Sequence, residues 1–285
     1  MMNRSKYYGT SEPVLYIVAT PIGNKKEFSL RAQETLKEVA CIGCEDTRNS
    51  AQLFQDFQIH TPLLSCHEHN ENEASEKLLN YMRNGQSIAY VSDAGYPGIS
   101  DPGHRLIIKA IDEGFHVVTI GGSTAFLPAL IGSGLETEHF YFHGFLKSKS
   151  SQRKKELEKL KEKEETLIFY ESPHRILDTL EDMLSILGSR KACIAREITK
   201  IHEEFIRGTL EEFISIPLET LKGEMVIVVE GNQNDEVTVD EGEVIYHLHT
   251  LITNGESPKS AIQQTALQFQ LPKNEVYSLY LKSKR

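Results

Sequence analysis

Two carboxylates, Asp93 and Asp101, sit among three glycines and two prolines in the segment Val91 to Gly103, VSDAGYPGISDPG. The apolar run Ser87 to Val91 just before it reads as a buried strand, and Leu106, Ile107, Ala110 and Ile111 after it recur at helical spacing. In open α/β sheets, ligands bind in loops outside the carboxyl ends of strands. Glycines let the backbone come close to a ligand, and prolines fix the shape of the loop. The segment is therefore predicted to be a ligand loop, with carboxylates that accept hydrogen bonds or balance a positive charge. Ala19 to Asn24 (ATPIGN) and Gly121 to Ala125 (GGSTA) have the same character. None of the three carries the Gly-Lys-Ser/Thr of a triphosphate cradle or spells G-x-G-x-x-G, and the loops contain no Lys or Arg until Lys25. Such a lining does not suit a pyrophosphate. It suits a ligand with hydroxyls, an amino group, a sulfonium and an adenine ring, and S-adenosylmethionine is one candidate among several.

The elements that must hold these loops alternate. Val14 to Ala19, Ala40 to Cys44, Ile88 to Val91 and Val117 to Ile120 read as strands. Leu30, Leu36, Val39 and Ala40 mark a helix face, Glu73 to Asn84 is helical, and Thr124 to Gly132 is a short apolar helix. That alternation predicts a mainly parallel sheet. A second α/β unit begins near His139, with Phe140, Phe142 and Phe145 as the apolar side of one strand. Strands are expected at Thr166 to Tyr170, Lys191 to Ala195, Glu204 to Ile206 and Met225 to Val229, with a helix over Ile176 to Leu187 closed by Gly188. The polar stretch Gly231 to Gly242 reads as a linker. Helices follow, the last two parted near Gln270 to Pro272, either as a small cap or as a helix-turn-helix-like module. The expected division is an N-terminal α/β domain over 13–135, a second over 136–231, and a linker with helical extension over 232–285.

The 285 residues carry a formal charge of −10, which argues against broad coating of nucleic acid. One segment runs the other way. From Lys147 to Lys163, eight basic residues stand among three acids, and this reads either as a solvated helix or as a phosphate-facing arm. The polar start, MMNRSKYYGTSEP, has no apolar signal core, and no run approaches membrane-spanning length. Four scattered cysteines, with a single C-x-x-C at Cys41 and Cys44, are expected to be core residues of a reduced, cytoplasmic protein without a metal site.

LYIVATPIGN, CEDTR, VSDAGYPGISDP, HGFL, FYESPHR, REITKIHEEFIRG and KGEMVIVVEG follow one another from Leu15 to Gly231. Together they resemble the tetrapyrrole-methylase (class III) methyltransferases. More narrowly, they resemble the group that methylates a cytidine ribose 2′-hydroxyl in the decoding region of 16S ribosomal RNA. The resemblance implies two α/β domains of the tetrapyrrole-methylase type with S-adenosylmethionine folded in the cleft between them. It also implies a homodimer acting on the small ribosomal subunit, with no membrane partner. The residues it matches to cofactor binding are Pro21, Ala94, Gly95, Tyr96, Ile99, Thr124, Ala125, Glu171 and Ala195, and Asp93 is expected to bind the cofactor or organise its loop. Tyr96 stands where the group usually has Thr, Gly121 where Pro is usual, and Lys147 where Pro commonly follows GFL.

Methyl transfer to a hydroxyl is helped by a general base. Within the group's motifs, the candidates are Glu45, Asp46, His174 and Lys200. Arg48, Arg153, Lys154, Lys155, Arg175 and Arg196 are candidate RNA contacts, because guanidinium forks match phosphate oxygens and lysines supply point charges. A bland reading of Arg48 is an ion pair with Glu45 or Asp46. Three other functions compete. A small-molecule methylase of the same fold lacks a reason for the basic arm, a non-catalytic RNA-binding assembly factor would have degraded cofactor loops, and a dinucleotide oxidoreductase lacks its fingerprint.

Overall fold

The computed structural model describes residues 11–233, 240–269 and 271–283. Part of the polar start, residues 234–239 of the expected linker and Gln270 lie outside the described residues. Residues up to 232 form one compact unit and those from 233 a second.

The first sheet holds β1 (Val14–Val18), β2 (Cys41–Cys44), β3 (Leu63–Ser65), β4 (Ile88–Val91) and β5 (His116–Ile120), in the order β3-β2-β4-β1-β5. Every pairing in it is parallel, as the alternating pattern predicts. Helices α1 (Leu30–Glu38) and α2 (Thr47–Asp56) cover one face, and α3 (Glu71–Arg83) and α4 (His104–Asp112) the other. Strand alternation explains the split. Val14 and Val18 pack with Leu36 and Phe54, while Leu15 and Ile17 pack with Leu78, Met82 and Leu106. Cys41 and Cys44 are buried in β2, and burial pushes both thiols up, Cys44 to about 11. All four cysteines are free. Helix α2 and strand β3 carry too little periodicity to be read from sequence, and Leu30 is 75% exposed rather than part of a helix face.

After β5 comes α5 (Phe126–Ser133), which packs on the second sheet, not the first. The expected boundary at 135/136 falls just after this helix. The second sheet is mixed. It orders β6 (Phe140–Phe145), β7 (Thr166–Glu171), β10 (Met225–Val229), β8 (Lys191–Arg196) and β9 (Glu204–Thr209), and only β6 and β7 pair in parallel. Ala129 and Leu130 of α5 cover one face, while α6 (Ser150–Leu160), α7 (Ile176–Leu187) and α8 (Leu210–Phe213) cover the other. Phe142 and Phe145 violate strict alternation, and a register shift between Phe142 and Gly144 removes the conflict. Gly144 takes φ +78°, the extra residue turns the strand, and both rings then meet Tyr170, at 5.0 and 5.5 Å.

The second unit contains α9 (Glu241–Thr253), α10 (Pro258–Gln268) and α11 (Lys273–Ser283). Val244, Leu248, Ala266, Val276 and Leu279 close a small core among them. Among the described residues, no helix is long and apolar enough to cross a membrane.

The basic segment divides once it is folded. Arg153 is buried, donating to Asp182 at 2.7 Å and to the carbonyls of Ser148 and Asp178. The expectation that Arg153 contacts RNA is therefore corrected: its guanidinium is consumed in joining α6 to α7. Lys154 also reaches Asp182, at 3.3 Å, whereas Lys155 and Lys159 are exposed. Removing one partner of a buried ion pair strands the other, at about 3–5 kcal/mol. Arg153→Ala should accordingly lose stability of that order in urea denaturation, while Lys155→Ala should stay within about 0.5 kcal/mol of wild type.

Candidate active site

The loops after β4, β1 and β5 leave three neighbouring strands at the same end of the first sheet. Backbone pairs join two of them: Thr20 N–H donates to Gly95 O at 2.9 Å, and Gly95 N–H donates to Thr20 O at 3.0 Å. The Thr20 hydroxyl donates to Ser92 O, and the Ser92 hydroxyl to Gly95 O, both at 3.1 Å. The third loop is tied in by Tyr96, whose phenolic oxygen accepts the Gly122 N–H at 2.9 Å. Tyr96, unusual for the motif, thus spans two loops.

Opposite stand the strand ends of the second sheet and the loop after β8. Glu197 and Thr199 in that loop take left-handed φ of +51° and +69°. Such strain in a non-glycine backbone persists only where its surroundings over-determine it. Here the Glu197 carboxylate accepts the Glu224 N–H, the Thr199 hydroxyl accepts the Asn24 N–H at 3.2 Å, and the Lys200 chain lies over Gly23. The first and second sheets are thereby tied across the cleft.

Between them lies a cavity of about 600 Å³, within the usual range for small-molecule sites. Apolar side chains such as Ile22, Ile99, Met225 and Val226 line it together with five carboxylates, Asp93, Asp101, Glu171, Glu197 and Glu224. Among the described residues, Lys200 is the one cation in the lining, and Glu197 and Glu224 hold its ammonium at 2.9 and 3.2 Å. Burial alone would lower Lys200, but these two bonds outweigh it and raise its pKa. A wall of this kind repels phosphate. It fits a ligand with a positive centre, hydroxyl and amino donors and a flat apolar ring.

Of the residues expected at the cofactor, Asp93, Ala94, Gly95, Tyr96, Ile99, Thr124, Ala125 and Glu171 line the cavity. Asp93 also organises its loop, accepting the Asn49 amide at 2.7 Å and the Asp46 N–H at 3.4 Å. Glu171 is 2% exposed, with one oxygen on the Ser172 N–H and the other on the Thr179 hydroxyl. Two expectations are corrected. Pro21 does not line the cavity, and its neighbour Ile22 does. Ala195 is fully buried: it shares a face of the second sheet with its partner Val226, but Ala129 and Leu130 of α5 belong to the same cluster and it does not reach the cavity.

The expected bases and RNA contacts scatter. Asp46 caps α2, and the hydrogen bonds of Arg48 pull its carboxyl down to about 2, which leaves it a weak base. Lys200 is held as an ammonium and cannot accept a proton, and His174 is exposed and absent from the lining. Glu45 lies in a smaller cavity of about 460 Å³ with Arg48 and His67, which shares Asp93 with the first. Burial, and then Asp93, raise the Glu45 carboxyl. Arg48 pairs with Asp46 at 2.7 Å but remains 89% exposed. Arg196 is taken up by Glu204 and the Lys222 carbonyl, and Arg175 by the Leu146 carbonyl. Asp101, noted in the loop but given no individual role, and Tyr170, not expected at the site at all, both line the cavity. The signal for Asp101 was present, since it is the second carboxylate of the glycine-rich loop.

Solved structures of methyltransferases share the fold. Uroporphyrin-III-C-methyltransferase from Thermus thermophilus superposes with a TM-score of 0.55 at 16% identity, over 77% of this chain and 94% of that one. The sequence profile of the Tetrapyrrole (Corrin/Porphyrin) Methylases matches residues 14–214, and the chain belongs to that family. The protein called Ribosomal RNA small subunit methyltransferase I is 48% identical in Halalkalibacterium halodurans, over 93% of this chain and 94% of that one. Its counterpart in Bacillus subtilis is 45% identical over 94% of each.

Gly95 provides a test of the cavity as the site of the methyl donor, S-adenosylmethionine. It takes φ +74°, and a side chain there would start 3.5 Å from Ile22 and 3.7 Å from Ser123 O, inside the knot of three loops. Gly114 takes φ +83° with open space around it, outside the lining. Both Gly95→Leu and Gly114→Leu carry a left-handed backbone cost of about 1–2 kcal/mol. Only Gly95→Leu should abolish S-adenosylmethionine binding in calorimetry. Normal binding by that variant would mean that the donor sits elsewhere.

Proposed function

We propose that the chain methylates the ribose 2′-hydroxyl of a cytidine in the decoding region of 16S ribosomal RNA, using S-adenosylmethionine. The observation that carries the reading is the cavity itself, acidic and apolar at the carboxyl ends of β4, β1 and β5, in a chain 45–48% identical to rRNA small subunit methyltransferases. S-adenosylmethionine supplies a methyl group activated by its sulfonium. The backbone of Asp93 to Tyr96, with Thr124 and Ala125, would hold it, and the carboxylates would balance its charge. Ile22, Ile99 and Val226 exclude water from the same space. Much of the acceleration in such a transfer comes from holding donor and acceptor aligned, and the tied loops supply that rigidity.

RNA approaches a protein that is acidic overall, so its contacts must be local. Lys155 and Lys159 on α6, four residues apart and exposed, and the exposed Arg48 beside the smaller cavity are suited to phosphate. The working form is a cytoplasmic homodimer. On α5, Leu127 and Ile131 stand 41% and 73% exposed, near Phe140, which is 39% exposed. An apolar patch of this kind suits a contact between two copies. A folded ribosomal site then meets more surface than one subunit offers.

Two experiments test the reading. Lys155→Glu with Lys159→Glu should leave S-adenosylmethionine affinity and melting temperature nearly unchanged, since exposed charges contribute little to stability. Affinity for small ribosomal subunits should fall, and the salt slope should flatten by roughly one for each phosphate no longer neutralised. An unchanged slope would return α6 to the status of a solvated helix. Light scattering should show a dimer that Ile131→Glu splits, and the enzyme should methylate whole small subunits far faster than a short free oligonucleotide, which must be ordered as it binds. A monomer indifferent to that choice would contradict both the assembly and the substrate.

A further inference from the structure

The smaller cavity lies over the carboxyl ends of β3, β2 and β4, and the donor cavity over those of β4, β1 and β5. The two therefore follow one another along one end of the first sheet, with Asp93 as the wall they share. At about 460 Å³ the smaller one is also within the range of small-molecule sites. Its lining is polar. Glu45, Asp46 and Asp93 supply carboxylates, Arg48 a guanidinium, Ser65 a hydroxyl and His67 a flat ring.

Two of the three carboxylates are taken up by the fold. Asp46 accepts Arg48 Nε and Nη2 at 3.1 and 2.7 Å, and Asp93 accepts the Asn49 amide and the Asp46 N–H. Among the described residues, no donor bonds the half-buried Glu45 carboxylate, and no lysine or arginine pairs with it. Hydrogen bonds to the ionised form would pull its pKa down. Burial, and then Asp93, raise it instead. Glu45 is thus an acceptor that the protein leaves unsatisfied, at a cost that a ligand with a matching donor would remove.

We propose that Glu45 reads the target base, accepting a hydrogen from the exocyclic amino group of a cytosine seated in this cavity. The assignment rests on the methyl-transfer reading above, and it gives Glu45 a task other than proton abstraction. The acceptor hydroxyl sits on the ribose carbon next to the one that carries the base. A base held in a cavity that shares a wall with the donor's can therefore present its own 2′-hydroxyl to the methyl group. Acidic side chains are the ones that accept from the cytosine amino group. Uracil has a carbonyl oxygen at the same place, which a carboxylate repels. The His67 ring offers a surface on which a splayed-out base can stack. Arg48 stands beside it with its fork fixed on Asp46 and, among the described residues, no partner on Nη1, free for the phosphate of the same strand. Phosphate contacts position the strand, and the contact to Glu45 specifies the base.

The test uses the full-length protein and reconstituted small ribosomal subunits that differ at the nucleotide the wild type methylates. That nucleotide carries cytosine, uracil or pyrimidin-2-one, which is cytosine without its amino group. Wild type should favour cytosine over both others by about tenfold to 100-fold in kcat/KM. Glu45→Ala should lose a similar factor on cytosine, mainly through KM, and use the three bases within about threefold of one another. Removing the carboxylate and the amino group together should cost no more than removing either, which marks a direct contact. S-adenosylmethionine affinity should stay within about twofold and the melting temperature should not fall, because Glu45 holds no bond within the fold. A Glu45→Ala enzyme that keeps the wild-type preference for cytosine overturns the assignment. So does one that loses kcat alike on all three bases with KM unchanged, as a proton acceptor would, or one that loses melting temperature or donor affinity, as a structural residue would. A wild type that methylates none of the subunits overturns the parent reading and this assignment with it. A wild type that methylates all three bases equally well overturns this assignment alone.

Discussion

The reciprocal backbone pair between Thr20 and Gly95 is the constraint from which the cleft follows. It joins loops from two adjacent parallel strands, β1 and β4, and it requires a left-handed residue at Gly95. Once those backbones satisfy one another, the ligand meets main chain and small side chains at the end of the sheet. The Thr20 and Ser92 hydroxyls lock the same junction from behind. Tyr96 then carries the constraint to the loop after β5. A site made this way is shaped by hydrogen bonds within the protein, so its form is set before any ligand arrives.

The other wall depends on a more costly device. Two non-glycine residues in left-handed conformation, Glu197 and Thr199, aim Lys200 across Gly23. Left-handed residues cost of order 1–3 kcal/mol each. The bonds from Lys200 to Glu197 and Glu224 oppose that strain within the second sheet's loops, and the bond from Asn24 to Thr199 fastens the two sheets together. Lys200 therefore bonds to two of the five carboxylates in the lining and cancels one of their two charges. Among the described residues no cation pairs with Asp101, and burial, then the charges of Glu45 and Asp93, raise its carboxyl.

Strand positions were legible because they rest on runs of buried aliphatic residues, as in β1, β4 and β10, which stay buried in any packing. Helix α2 was not, because its charged and amide residues conceal only Ser50 and Phe54 as buried positions. The loops of the site could be read from glycine, proline and carboxylate spacing, a property of the local chain. The second wall could not, since Met225, Val226 and Tyr170 look like ordinary strand residues until the sheets face each other. Ala195 shows the same limit: a strand-end position is visible in sequence, but that α5 packs in the same cluster is not.

The basic segment shows why a count of charges misleads on a helix. Consecutive residues on a helix point about 100° apart, so Arg153, Lys154 and Lys155 enter three environments. Arg153 turns inward with Leu157 and Leu160 and closes on Asp182, Lys154 stands at the border, and Lys155 faces solvent with Lys159. The inward charge must be paired, because an isolated buried guanidinium is too costly to keep. The outward charges gain nothing from the fold and are left unspent by it. A surface that keeps exposed lysines in an acidic protein, without a structural use for them, has them free for a polyanion.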